Sequence, residues 1–178
     1  MRKLIVIFII CFGLHAQGSK ISDAYKALSV FDYFKAKQLF YKSLEKFPSQ
    51  SSYGLATIYF RTDNPFSNID SAAKYIAISQ SSYKDSITYS LYHINSESIK
   101  ELAIRIGNKG FEKYSSHNSV ESYNYFLSHY YFSDSSVLAQ TFLKRDVIQL
   151  GKALNSQSSY QVTQFLLQYP QSSLYQKE

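Results

Sequence analysis

Apolar residues recur along this chain at steps of three and four, the spacing of one face of an α-helix. Ala24, Ala27, Leu28 and Phe31 form a first stripe, and Tyr33, Ala36, Phe40, Leu44 and Phe47 form a second. Asp32 stands between them, where a helix N-cap belongs. Pro48 is expected to end the second helix, because the residue before a proline avoids the helical region. Residues 51–60 read as a third helix carrying Leu55, Ala56 and Tyr59. After a long connector from Arg61 to Asn68, a further apolar stripe runs through Ile69, Ala72, Ala73, Ile76 and Ile78, with Asn68 as its cap. Residues 80–96 are the least regular, and Ile87, Leu91 and Ile94 there suggest one more helix.

The second half of the chain repeats itself. A shift of 39 residues lays Ser119 on Ser158, Phe126 on Phe165, Leu127 on Leu166, Tyr130 on Tyr169 and Ser133 on Ser172. Each of these short segments follows a longer helical stretch, predicted from Ser98 to about Tyr114 and from Ser135 to about Leu154. That period suits a two-helix unit better than one built on strands. Breaks at His117-Asn118 and Ser156-Gln157 punctuate the chain without making linkers, so residues 17–178 are expected to form one continuous array.

Composition supports helices. Gly (6) and Pro (3) are too scarce for the many tight turns of a sheet-rich fold. Hydrophobic residues make up 45% and charged residues 18%, enough to bury a core and unlike a disordered chain. Serine clusters suit caps and turns between helices. The first residues carry a separate signal: Arg2 and Lys3, an apolar run from Leu4 to Leu14, then His15-Ala16-Gln17. This is the layout of a secretory signal peptide over residues 1–16. The run is about half the ~20 residues that span a bilayer. Cys11, the single cysteine, falls inside it and would leave with it, so no disulfide or thiolate chemistry is expected. The formal charge of +6, two units of it on Arg2 and Lys3, is spread without a dense basic run. Attraction to nucleic acid or to anionic lipid needs clustered charge, so neither is an expected partner.

The spacing Ala36, Phe40, Ser43-Leu44, Pro48 resembles the second helix of a tetratricopeptide repeat, and Leu55-Ala56 followed by Tyr59 resembles the first helix of another. Small residues at such places let two helices approach while an aromatic fills the gap beside them. More specifically, Asn64-Pro65-Phe66, Asp70-Ser71-Ala72 and Tyr169-Pro170-Gln171-Ser172 resemble a family of secreted tetratricopeptide-like proteins. The resemblance implies packing roles for Ala36, Phe40, Leu44, Pro48, Ala56, Tyr59, Ala72, Ile76, Phe126, Tyr130, Phe165 and Tyr169. It also implies a helical region that often stands ahead of further domains, and it carries over no catalytic residue.

Candidate chemistry is thin. His93, His117 and His129 lack neighbours at ligand spacing, and no Cys/His motif is present, so no metal and no cofactor are expected. No serine lies in a Gly-x-Ser-x-Gly or Ser-x-x-Lys frame. Gly107 and Gly110 beside Lys109 lack the strand and the Gly-Lys-Ser/Thr ending of a phosphate loop, and read as a kink or loop. The acid pairs Asp63 with Asp70, Glu97 with Glu101, and Glu112 with Glu121 would serve acid–base chemistry only if buried with a raised pKa. Most tyrosines are expected in the core. Tyr92, Tyr125 and Tyr131 fall off the apolar stripes and are candidates for gripping a partner, as are Arg105 and Arg145, read as occupying corresponding places in the two long helices.

The expected fold is an all-α, right-handed α-solenoid of about four tetratricopeptide-like helix-turn-helix pairs following the signal peptide. Its expected role is a non-catalytic, periplasmic or cell-surface scaffold binding a protein or peptide. The alternative is a helical spacer or N-terminal module of a larger envelope protein, with no binding activity of its own.

Overall fold

The computed structural model describes residues 20–84 and 94–174. The expected leader over residues 1–16, with Cys11 and His15, lies outside them, as do Ile87, Leu91, Tyr92 and His93. Among the described residues every regular element is helical and no strand occurs. The described residues form eight α-helices: α1 (20–29), α2 (Tyr33–Ser43), α3 (Pro48–Phe60), α4 (Ile69–Ser82), α5 (Ser96–Ser115), α6 (Val120–His129), α7 (Ser135–Asn155) and α8 (Ser159–Gln168). The chain divides into two compact units, Met1–Ala103 and Ile104–Glu178.

In the first unit, Asp32 caps α2 by accepting the Lys35 N–H at 3.1 Å, as its place in the sequence predicts. Tyr33, Ala36 and Phe40 are buried on one face. Three details depart from the sequence reading. Phe31, expected on the apolar face of α1, lies beyond that helix with φ +62° and is exposed. Helix α2 ends at Ser43, well before Pro48, so Leu44 and Phe47 sit in the turn. Pro48 instead opens α3 at its first position, where a missing N–H costs nothing and the fixed φ suits the helix.

Helices α3 and α4 pack face to face, with Leu55, Ala56, Ile58, Ala72, Ala73 and Ile76 buried. Ser49, Ser51, Ser52 and Ser79 are buried in these helices, although serine clusters in general suit caps and turns. Ser49 Oγ donates to the Ser79 carbonyl at 2.8 Å, and Ser79 Oγ to the Ser49 carbonyl at 3.0 Å. Their small side chains let the two backbones draw close, and the reciprocal bonds satisfy the Ser49 and Ser79 hydroxyls, whereas those of Ser51 and Ser52 are buried without a partner. On the side of α3 towards α2, Gly54 makes room for the Phe40 ring, which a β-carbon there would overlap.

The second unit begins within α5, and Gly107 and Gly110 lie inside that helix, not in a loop. Ser133 packs on Gly107 and the fully buried Tyr130 ring on Gly110. Ser119 and Ser122 form a capping box at the start of α6, and Asp134 caps α7 through the Ser136 N–H at 2.8 Å. The 39-residue correspondence extends to the backbone. Asn118 and Gln157 both have positive φ, at 44° and 53°. The Tyr130 and Tyr169 N–H groups donate to Phe126 and Phe165 carbonyls, and those of Ser133 and Ser172 donate to Tyr130 and Tyr169. Phe126 and Phe165 are both buried.

Candidate functional site

The five residues singled out for a partner have different fates. Tyr92 lies outside the described residues. Tyr125 is 37% exposed and stacks on His129 at 3.9 Å, one turn along α6. Tyr131, 62% exposed, stands edge-on to Phe132 just after that helix. Arg105 is exposed on α5. Arg145 is half-buried on α7 and lines a cleft to which the other described candidates do not contribute. Arg105 and Arg145 therefore do not occupy corresponding places: under the 39-residue shift Arg145 falls on Ile106, which is fully buried.

The cleft lies between one face of α7 and the segment that follows α8. Its volume is about 450 Å³, and its walls include Phe142, Leu143, Arg145, Asp146, Tyr169 and Pro170. Asp146 is the polar floor, its side chain only 3% exposed against 14% for Arg145. Arg145 donates from Nε at 2.9 Å and from Nη2 at 2.7 Å, both to Asp146 Oδ1. Its third nitrogen, Nη1, reaches Asn124 Oδ1 at 3.5 Å. The guanidinium lies over the Tyr169 ring, 4.6 Å from the centroid, and 5.1 Å from that of Phe142. Aromatic faces favour a cation so placed, and the pair neutralises itself, so the carboxylate is not left buried alone.

The 39-residue correspondence explains why a cleft opens here. Gly107 corresponds to Asp146 and Gly110 to Gln149. In the first stretch, Ser133 and Tyr130 close directly onto the two glycines. In the second, Asp146 and Ser172 line the cleft, and Gln149 Nε2 donates to Tyr169 Oη at 3.3 Å. Two bulkier polar residues keep the following segment from closing on α7. Asp146 was missed as a site residue although its signal is in the sequence, as the residue replacing a glycine within the repeat. Tyr169, read as a packing residue, is a cleft wall.

Elsewhere the polar clusters read as structural. Asp63 accepts Tyr33 Oη at 2.8 Å and both Arg61 Nε (3.0 Å) and Nη2 (2.5 Å). Those donors, Arg61 first, hold its carboxyl well below the usual range. Glu121 is likewise lowered, by its own backbone N–H and by Ser119 at the start of α6. Neither is the raised carboxyl that acid–base chemistry would need. Glu112 pairs with Lys109 at 2.7 Å. Tyr59 and Tyr75 stack at 5.7 Å, and their hydroxyls meet that of Tyr41 at 2.8 and 3.0 Å. Burial and these contacts push both phenols up, so they stay neutral. Among the described residues no group of three His, Cys, Asp or Glu side chains could hold a metal ion, and no helix is long and apolar enough to cross a membrane. No protein-family model matches the chain, and comparison with characterised proteins and with solved structures finds no match either.

Proposed function

We propose that this protein is a non-catalytic scaffold of the cell envelope that binds an extended peptide segment of a partner protein. The observation that carries the reading is the Arg145–Asp146 pair, held beneath Tyr169 and Phe142 in an open cleft. A volume of about 450 Å³ is in the range of ligand sites, and mostly apolar walls with a few fixed polar groups are their usual make-up. The pair carries no net charge, so it suits a peptide backbone better than an ion. Arg145 Nη1, weakly engaged by Asn124, can donate to a carbonyl, and Asp146 Oδ2, which accepts neither guanidinium bond, can accept an amide N–H. Apolar side chains of the bound segment would lie against Phe142, Leu143 and Pro170.

In this reading the helices form a tetratricopeptide-like right-handed solenoid of about four helix pairs, supported by the backbone features that recur 39 residues apart. Export follows from the basic, apolar and small-residue order of residues 1–16.

Panning a random peptide display library on the purified chain tests this. We expect a convergent peptide family whose Kd rises about tenfold or more in Phe142→Gln, a loss of about 1.4 kcal/mol, and is unchanged in Tyr131→Ser. Phe142 is nearly half exposed, so its replacement leaves the fold intact. Failure to enrich any family, or binding indifferent to Phe142, would leave the spacer-module reading in its place.

A further inference from the structure

The turn between α1 and α2 carries a second feature, in the first unit and independent of the cleft. The end of α1 forms a Schellman cap. The Asp32 N–H reaches back to the Ala27 carbonyl at 2.9 Å, and the Phe31 N–H to that of Leu28 at 3.1 Å. The left-handed position in this motif is usually glycine or asparagine, and Asn118 holds the comparable place before α6. Here it is Phe31, at φ +62°, where a bulky residue is strained. Burial does not repay that strain, because the ring is 59% exposed. Val30 beside it is 71% exposed, and Phe34, on the first turn of α2, is 69% exposed. Phe34 meets Phe66 of the connector between α3 and α4 edge-on at 4.7 Å, extending the apolar surface.

Cations sit on this patch. Lys37 Nζ lies 3.9 Å from the Phe66 ring centroid, and the Arg61 guanidinium 5.0 Å from that of Phe31. Lys35 is exposed between Phe34 and Lys37 in sequence. The acids nearby are already engaged, Asp32 as the α2 cap and Asp63 by Arg61 and Tyr33.

We infer that this tip docks on a lipid bilayer interface, with Val30, Phe31 and Phe34 entering the headgroup–acyl boundary and Lys35 and Lys37 lying among anionic headgroups. Two observations favour lipid over a protein partner. Val30, Phe31 and Phe34 carry no polar atom on their side chains, in a chain with more Tyr (17) than Phe (13), whereas protein hot spots favour Tyr, Trp and Arg. Apolar residues protruding from a turn, with basic residues around them, match the composition of interfacial anchors.

The chain contains no tryptophan, so Phe34→Trp installs a single reporter at the tip. We expect its emission to shift to the blue, and to be quenched by brominated acyl chains, on adding vesicles of phosphatidylcholine with phosphatidylglycerol. The effect should weaken on phosphatidylcholine alone. A Tyr131→Trp reporter in the same full-length chain should stay unquenched, which separates the tip from binding through residues 1–16. Adding Phe31→Asn to the Phe34→Trp chain should raise the melting temperature by relieving the backbone while weakening lipid partition at least about tenfold, since a phenylalanine leaves the interface. Vesicles that leave Phe34→Trp unquenched would overturn the proposal. So would a blue shift that depends on protein concentration without lipid, which would assign the patch to a second copy of the chain.

Discussion

A single β-carbon separates the helical glycines of this protein into two kinds. At Gly110 it would run into the ring of Tyr130, a residue with no exposed surface, whereas at Gly151 it would meet nothing within 4 Å. The same substitution therefore has opposite signs at the two sites. Gly110→Ala should lower stability by about 1–3 kcal/mol, because a packed ring must move. Gly151→Ala should raise it by about 0.5–1 kcal/mol, because glycine inside a helix loses more backbone entropy than alanine. Urea unfolding followed by circular dichroism reads both. Sequence patterning placed Gly107 and Gly110 within a helix predicted from Ser98 to about Tyr114 and read them, for want of a phosphate-loop motif, as a helix kink or loop. It could not register that Tyr130, twenty residues further on, needs the space of the missing β-carbon.

Among the elements, the connector between α3 and α4 shows how a loop acquires a fixed course. Asn64 donates from Nδ2 to the Ile58 and Arg61 carbonyls, both at 3.0 Å, and its Oδ1 accepts the Phe66 N–H at 2.8 Å. Asp63 anchors the loop to α2 through Tyr33 and to Arg61. Because the folded Asp63 carboxyl is held below its ordinary value of 3.8, the unfolded chain takes up a proton first as the pH drops. Its stabilisation is present in full above that value and is lost as the pH falls below it towards the depressed folded value. The gap in melting temperature between wild type and Asp63→Asn should thus be widest near neutrality and close below about pH 4. A gap that is constant across the range would contradict the assignment. The carboxyl is exposed to solvent, so added salt should narrow the gap at every pH.

For the molecule as a whole, burial is uneven along the chain. Helix α3 buries eight of its residues, from Ser49 to Ile58, whereas α8 buries Phe165 alone. Leu166 and Leu167 beside it remain largely exposed, as do Leu143, Val147 and Leu154 on α7. Few buried contacts mean a low free energy of local opening. Amide hydrogens of α8 should exchange at least about tenfold faster than those in the middle of α3. Equal protection in the two helices would show that the exposed face of the last helix pair is covered in solution.

The chain's own pattern determined the helical class, because three- and four-residue apolar spacing and local capping chemistry are properties of neighbouring residues. Asp32 and Asn68 cap the helices they were expected to cap, and α7 spans Ser135–Asn155 against a prediction ending near Leu154. The 39-residue correspondence was likewise legible, down to Phe126 with Phe165 and Tyr130 with Tyr169. Where the pattern failed, the deciding partner was distant or the backbone was unusual. Phe31 continues the apolar spacing of α1, yet a Schellman cap turns it outward. Ser49 and Ser79 have no evident role in the sequence until α3 and α4 pack and the two residues exchange hydroxyl-to-carbonyl bonds. The cleft depended on tertiary structure most of all. Asp146 is unremarkable in sequence, and becomes a cleft wall only where the chain after α8 returns to α7, at the place where Ser133 had found a glycine on α5.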